Sequence, residues 1–149
     1  MHIVLYKPDI PQNTAAIIRL GACLSLNIHL IEPCGFNLND SRFKRVVMDY
    51  FELSKIVRHN NFEAFIEKYK KSRIVLMTTK AKKLYHRFKF KKNDMMLIGR
   101  ESAGVPENLH KTIKNRIKVP MNKKTRSLNV AMSVAIISAE ALRQNNLLK

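Results

Sequence analysis

The chain has 149 residues, 46% of them hydrophobic, which predicts one globular domain over residues 1–149 with a core of its own. No apolar run approaches the roughly 18 residues that a membrane span needs, so a transmembrane protein is not expected. The formal net charge of +17 favours nucleic acid as a partner over an anionic membrane surface, although a generally basic proteome would also produce such a charge.

The sequence predicts a reducing, cytoplasmic setting. Cys23 and Cys34 fit neither a metal-ligand spacing nor a disulfide framework, and Cys23 falls in an apolar stretch typical of a buried thiol. The chain enters a strand pattern at His2 without a basic segment and a long apolar region before it, so no signal peptide is expected. No metal site is predicted.

Strands and helices are predicted to alternate along the chain. The strands are expected at His2–Tyr6, Ile28–Glu32, Lys55–Arg58, Arg73–Thr79, Asp94–Gly99 and Arg116–Val119. The helices are expected at residues 13–26, 41–47, 61–69 and 106–113 and after Ser127. The candidate N-caps are Asn13 or Thr14, residues 39–41, Asn60 or Asn61, and Ser127. This alternation predicts an α/β fold in which helices cover both faces of a parallel sheet.

Residues 80–92, the basic segment, contain seven lysine and arginine residues and no acidic residue. Aromatic side chains lie between the cations, and basic residues with stackable rings are typical of surfaces that bind single-stranded RNA. Lys82, Lys83 and Lys89 are therefore candidate RNA contacts. The alternative is a solvated loop whose aromatic rings pack inward, and the segment alone favours neither interpretation.

Three loops that follow predicted strands stand out, at Pro8–Asn13, Gly99–Gly104 and Pro120–Ser127. Open α/β proteins bind their ligands at such strand ends. The two glycines of the second loop let a ligand approach the backbone closely, but the loop matches neither a P-loop nor a dinucleotide fingerprint. The third loop carries three cations, among them Arg126, which predicts an anionic ligand or partner.

Arg19 is the only Asp, Glu, Lys or Arg between Ile10 and Ile31. A cation in an apolar helix costs free energy unless it is paired or solvated, so its isolation points to a functional role. The alternative is an arginine whose stem packs on the helix while its charged end reaches water.

The three loops together resemble the motifs of a known family. Residues 8–20, P-D-I-P-Q-N-T-A-A-I-I-R-L, look like the first motif of the SPOUT methyltransferases. Residues 98–106, I-G-R-E-S-A-G-V-P, look like the second, and V-P-M at 119–121 with R-S-L-N at 126–129 looks like the third. Asp49-Tyr50 is also similar. Within this superfamily the likeness is greatest to the YibK-like (TrmL) branch, the tRNA 2′-O-methyltransferases of the wobble nucleotide, and it covers essentially the whole chain.

The resemblance implies an α/β SPOUT domain with a deep trefoil knot at its C-terminal end, which no periodicity argument could predict. It implies a homodimer that binds S-adenosyl-L-methionine and the anticodon stem-loop of tRNA. It assigns Arg19 and Asn13 to the substrate ribose, with Arg19 as the base or as a clamp on the neighbouring phosphate. The cofactor pocket that it implies consists of Met77, Ile98, Gly99, Glu101, Gly104, Val119, Ser127 and Leu128.

Two other functions remain open at this stage. One is ribose methylation of ribosomal RNA by an enzyme of the same fold. The other is RNA binding without catalysis on an inherited scaffold, although the presence of Arg19, Glu101 and the Ser127–Asn129 set argues against loss of activity.

Overall fold

The computed structural model describes residues 1–47 and 50–148, apart from the side chains of residues 51 and 52. Asp49, part of the resemblance to the SPOUT family, lies outside the described residues. The strands are β1 (His2–Tyr6), β2 (Asn27–Ile31), β3 (Lys55–His59), β4 (Ile74–Met77), β5 (Lys83–Leu84), β6 (Met95–Ile98) and β7 (Asn115–Lys118). The helices are α1 (Pro11–Cys23), α2 (Ser41–Val47), α3 (Tyr50–Leu53), α4 (Phe62–Lys68), α5 (Glu107–Thr112) and α6 (Val130–Gln144).

The seven strands form one parallel sheet in the order β3-β2-β1-β6-β4-β7-β5. The predicted α/β fold with a parallel sheet flanked by helices is confirmed. The four neighbours β1, β6, β4 and β7 end at the same edge of the sheet, because parallel strands share a direction. The loops that follow these strands therefore lie side by side, which brings together segments far apart in sequence.

Alternating side chains of each strand bury two separate cores. Ile3 and Leu5 of β1 pack with α1 and α6 on one face, whereas Val4 and Tyr6 pack with α4 on the other. The central strands are apolar at nearly every position because helices cover both faces, as parallel sheets require. Residues 95–98 of β6 are all buried. None of the helices in the described part of the chain is long and apolar enough to cross a membrane.

Helix starts differ from the predicted ones at both ends of the chain. Helix α1 begins at Pro11, which suits the first turn because proline has no N–H to leave unpaired, and its N-cap residue is Ile10 rather than Asn13 or Thr14. Helix α6 is capped by Asn129, whose Oδ1 accepts from the backbone N–H of Ala131 and Met132, so the assignment of this cap to Ser127 was wrong. The predicted cap of α4 at Asn61 is present.

The basic segment contains structure that the sequence did not predict. Its residues 83–84 form β5, which adds to β7 at the edge of the sheet, and a 3-10 turn follows at Tyr85–Arg87. The C-terminal part of α6 holds the segment in place, because the Gln144 side chain bonds to the backbone of both Phe88 and Phe90. The expectation of a buried Cys23 was also wrong, since that thiol is exposed near the end of α1.

Candidate cofactor pocket and nucleic-acid interface

A cavity of about 550 Å³ lies where β1, β6, β4 and β7 end. This is within the range of ordinary small-molecule sites. All eight residues that the resemblance assigned to the cofactor line it, and so does Asn13. The lining residues among them are Asn13, Met77, Ile98, Gly99, Glu101, Gly104, Val119, Ser127 and Leu128. The three loops that look separate in the sequence thus surround one space.

The loop at residues 99–104 folds back on itself as a tight turn. Arg100 and Gly104 exchange two backbone hydrogen bonds, at 3.0 and 2.8 Å. A Cβ on Gly99 would lie 2.7 Å from Gly104 Cα and 2.6 Å from Val105 N, so only glycine fits there. Gly104 has a φ of 68°, a left-handed conformation that costs other residues free energy, although a Cβ on it would meet no atom.

Asp9 and Glu101 connect the first two loops. The backbone N–H of Asp9 donates to Glu101 Oε2 at 3.1 Å, and the backbone N–H of Glu101 donates to Asp9 Oδ1 at 3.0 Å. The Ser102 hydroxyl also donates to Asp9 Oδ2, and the Arg100 Nε lies 3.4 Å from it. The Glu101 side chain has the largest effect on the pKa of Asp9 and, with the Ser102 hydroxyl and the Glu101 backbone N–H, holds it well below its usual range. Burial, with the Asp9 carboxylate next in effect, raises the pKa of Glu101.

A chain of amides extends this connection to the third loop. Asn129 Nδ2 donates to Asn13 Oδ1 at 2.9 Å, and Asn13 Nδ2 donates to Glu101 Oε1 at 3.2 Å. The cap of α6 decides which of the two asparagines donates. Asn129 Oδ1 accepts the helix N–H groups, so only the Nδ2 of Asn129 is left to donate to Asn13. Asn13 is therefore held in one orientation at the edge of the cavity.

The cavity also contains polar residues that sequence reasoning missed or left without a role. His110 is buried, with its Nδ1 3.2 Å from Arg116 Nη1 and its Nε2 3.4 Å from Thr78 Oγ1. Because an arginine nitrogen can only donate, Nδ1 accepts, and in the neutral ring Nε2 carries the proton. Nothing in the sequence around residue 110 indicates this position, since it depends on α5 packing beside the end of β4.

Arg19 does not line the cavity. It is exposed on α1, and its guanidinium carbon lies 4.9 Å from the centre of the Tyr50 ring. The premise that its charge is buried in an apolar helix was wrong, because position 19 falls on the solvent side of α1. The alternative, an arginine whose stem packs while its charged end remains in water, describes its surroundings in the single chain.

The candidate RNA contacts occupy different places. Lys82 and Lys83 line a second cavity, of about 420 Å³, at the outer edge of the sheet. Lys89 and Arg126 are exposed and line neither cavity. Phe88 and Phe90 are 5% and 7% exposed and pack in the core, so these two rings of the basic segment are unavailable for stacking on bases. His86 remains exposed and Tyr85 half-buried.

The main cavity combines an apolar wall with polar groups at its edge, an arrangement suited to a ligand with a ring and charged ends. Ile98, Val119 and Leu128 supply the apolar part. Within residues 1–47 and 50–148, no group of three or more His, Cys, Asp or Glu side chains could hold a metal ion. The residues that line the cavity can position a ligand and hydrogen-bond to it.

The chain belongs to the SpoU rRNA Methylase family, whose sequence profile matches residues 1–139. The resemblance to RNA methyltransferases that was inferred from the three loop motifs is thereby confirmed.

Two of the similar proteins match this chain over nearly their full lengths, and a third matches it over part of its own. The tRNA (cytidine(34)-2′-O)-methyltransferase of Ancylobacter novellus is 46% identical, over 95% of this chain and 91% of that protein. A structure solved to explain 2′-OH methylation of C/U34 on tRNA is 35% identical, covers 97% of this chain and 95% of its own, and has a TM-score of 0.93. An AdoMet-bound rRNA methyltransferase from Sinorhizobium meliloti has the same fold, with 24% identity and a TM-score of 0.88 over 99% of this chain and 57% of its own.

Proposed function

We propose that this protein is an S-adenosyl-L-methionine-dependent tRNA methyltransferase that acts in the cytoplasm on the ribose 2′-hydroxyl of the wobble nucleotide. The observation that carries the proposal is the cavity in which Asn13, Glu101 and Asn129 join three loops by hydrogen bonds. The near full-length similarity to tRNA (cytidine(34)-2′-O)-methyltransferases supports the choice of tRNA as substrate.

The residues present fit the cofactor. The volume of about 550 Å³ suits a molecule of this size, and the close approach of Gly99 to Gly104 leaves backbone groups rather than side chains facing one wall. Met77, Ile98 and Leu128 would contact its apolar parts, while Ser127 and Glu101 would hold its polar ends. When bound, the cofactor supplies a methyl group already activated on a sulfonium, and the ribose 2′-oxygen accepts it as its proton leaves.

The protein's part in this reaction is to orient the ribose and assist removal of the proton. Asn13 is held between Asn129 and Glu101, so its orientation is set before the substrate arrives. Arg19 is proposed as a clamp on the phosphate beside the reacting nucleotide, because a guanidinium holds its proton too tightly to act as a base. The clamp would lower the pKa of the hydroxyl and let water or phosphate take the proton.

We propose that a second copy completes the site. Because Arg19 lies outside the cavity of its own chain, we expect another chain to present it there. Ile10 and Leu128 line the cavity mouth and are 41% and 38% exposed, and Met132 of α6 is 57% exposed. Apolar groups exposed at a site entrance suit a homodimer interface.

The proposal includes the C-terminal trefoil knot of the SPOUT fold. The bonds between Gln144 of α6 and the backbone of Phe88 and Phe90 fit a chain end that passes under the basic segment.

Mapping of methylated nucleotides in RNA from a strain that lacks the gene tests this function. The expected result is loss of the 2′-O-methyl group at position 34 of particular tRNAs, with ribosomal RNA unchanged. The family description refers to rRNA, so the same map covers that alternative. Loss confined to rRNA, or no loss in any RNA, would contradict the proposal.

A further inference from the structure

The second cavity lies at the outer edge of the sheet, where β5 pairs with β7. Seven residues line it, five of them cations: Lys80, Lys82, Lys83, Phe88, Lys114, Asn115 and Arg116. Within the part of the chain that the structure describes, no acidic side chain lines this cavity of about 420 Å³. Among the described residues, the ion pairs found for these cations include only Lys80 with Glu107, at 3.4 Å and with both side chains more than half exposed. Such an exposed pair neutralises little.

The fold fixes these cations close together. Arg116 Nη1 donates to the backbone oxygen of His110 at 2.8 Å, and the ammonium of Lys83 lies 5.3 Å from the centre of the Phe88 ring. The same ring carries the Arg73 guanidinium at 5.0 Å, and Arg73 is anchored in turn by its ion pair with Asp94. Positive charges held together without acids repel one another, so a bound anion would relieve their repulsion.

The donors of the cavity select for a phosphate group rather than a base. Five of the seven lining side chains are lysine or arginine, which only donate hydrogen bonds, and the Asn115 amide is the one lining side chain of the described residues with an acceptor oxygen. The lining ring, Phe88, is 5% exposed. A base needs acceptors as well as donors, or an open ring to stack on, whereas a phosphodiester offers only acceptors. Recognition of this kind is independent of sequence.

Lys80 lines both the second cavity and the main one. The two cavities therefore adjoin each other at this side chain, so an RNA strand held at the main cavity has the second cavity beside it. We propose that the second cavity is a subsite for the phosphate backbone of the RNA substrate next to the reacting nucleotide. This inference rests on the proposed function in that the bound RNA is the molecule to be methylated.

The double variant Lys82→Gln with Lys114→Gln tests the subsite, because both side chains are exposed and line only this cavity. Its matched control is Lys91→Gln with Lys92→Gln, which removes the same charge from exposed residues of the basic segment outside the cavity. Binding of unmodified tRNA is measured over a range of salt concentrations, together with methyl transfer at saturating cofactor.

The subsite predicts that the first pair weakens tRNA binding by about tenfold at low salt and reduces the salt dependence by about two lost phosphate contacts. In the first pair, KM for tRNA rises while kcat keeps most of its value. The control pair changes tRNA affinity and KM much less. Equal losses in the two pairs would mean a diffuse positive field and overturn the inference. A second outcome would also overturn the inference: the first pair leaves tRNA binding unchanged, but inorganic phosphate no longer stabilises that variant against unfolding as it does the wild type. The cavity would then be assigned to a free anion.

The inference and the proposed function fail in different ways. A wild-type protein that binds tRNA and shows the difference between the two pairs, but transfers no methyl group, would refute the function alone. A wild-type protein that methylates tRNA while both pairs behave alike would refute the subsite alone.

Discussion

Asp9 and Glu101 lie 92 positions apart in sequence, and each carboxylate accepts the other's backbone N–H. This reciprocal pair fixes the loop after β1 against the loop after β6 at the mouth of the cavity. Asp9 lines no part of the cavity itself, so its effect on a ligand passes through the conformation of residues 99–104. The two hydrogen bonds between Asp9 and Glu101 therefore maintain the loop conformation that gives the cavity its shape.

Replacing Asp9 tests whether the cavity depends on these hydrogen bonds. Asp9→Ala leaves the Glu101 N–H and the Ser102 hydroxyl without their acceptor, so we expect a loss of about 1–3 kcal/mol in the free energy of unfolding. The affinity for S-adenosyl-L-methionine should fall by at least ~10-fold, equivalent to 1.4 kcal/mol. Chemical unfolding and calorimetry measure the two effects. Glu67→Ala, at an exposed carboxylate on α4, is the control, and equal cofactor affinity in both variants would refute the link.

The two glycines of the loop should differ in their effects. Gly99→Ala forces a Cβ into the backbone of Gly104 and Val105, so the loop must move and cofactor affinity should fall by at least ~10-fold. Gly104→Ala meets open space and costs only the left-handed conformation, about 1–2 kcal/mol of stability, with a much smaller change in affinity. Calorimetry on both variants measures the contrast. A greater loss of affinity in Gly104→Ala than in Gly99→Ala would contradict it.

Arg19 should matter for turnover and little for stability. Arg19→Ala removes an exposed cation–π contact with Tyr50, worth about 0.5–1 kcal/mol, and should leave cofactor affinity nearly unchanged. Methyl transfer should fall by at least ~100-fold, and Arg19→Lys should not restore it, because an ammonium lacks the planar fork of the guanidinium.

A mixture of chains tests whether Arg19 acts across the dimer. Co-expression of an Arg19→Ala chain with a Gly99→Ala chain creates hybrids in which one intact cavity faces an intact Arg19. At a cofactor concentration too low to fill the Gly99→Ala cavity, each variant alone should be nearly inactive, and the hybrids should recover part of the methyl transfer. Full activity of the Arg19→Ala protein would show that a residue other than Arg19 has the proposed role. Inactive hybrids would show that Arg19 acts at the site of its own chain.

Three histidines form a chain across three neighbouring strands. His2 Nδ1 lies 3.0 Å from His29 Nε2, and His29 Nδ1 lies 3.1 Å from His59 Nε2. Burial lowers the pKa of His29 to about 3, helped by the positive charge that its histidine neighbours and Lys68 would bring. Burial also lowers the pKa of His2 and His59. The native protein therefore keeps these rings neutral at pH values where an unfolded chain, with a histidine pKa of about 6.5, takes up protons.

Stability should decrease as the pH falls below about 6.5, since only the unfolded state gains protons there. His29 alone contributes up to about 1.4 kcal/mol per pH unit, and its contribution levels off near its folded pKa of about 3. His29→Gln should flatten the dependence of unfolding free energy on pH between 6.5 and 4, whereas His86→Gln, at an exposed ring, should not. Identical slopes in both variants would contradict this account.

The sequence predicted the elements whose residues carry a strong local signal. The apolar runs at residues 74–77 and 95–98 become β4 and β6 because both faces of the sheet are covered. The two-residue strand β5 has no such signal, because its pairing depends on β7, more than 30 positions away. Likewise, Ser127 and Asn129 are both good caps, and only the path of the third loop decides between them.

The sequence motifs predicted which residues of the three loops would lie near one another. Asn13 and the eight residues that the resemblance assigned to the cofactor lie around one cavity, because each motif follows a strand that ends at the same edge. The position of Arg19 could not be derived, since its isolation in an apolar helix does not reveal which side of α1 faces the core. The histidine chain was missed for a related reason: His2, His29 and His59 meet only once the register of β1, β2 and β3 is set.

The most direct test of the central claim is methyl transfer in vitro. The purified protein is incubated with isotopically labelled S-adenosyl-L-methionine and unmodified tRNA, and the labelled nucleotide is located by mass spectrometry. We predict label on the ribose of nucleotide 34, and none when Asn13→Ala is used, because that variant breaks the bonds from Asn129 to Glu101 at the cavity edge. Label on a base, at another position, or only on ribosomal RNA would contradict the account.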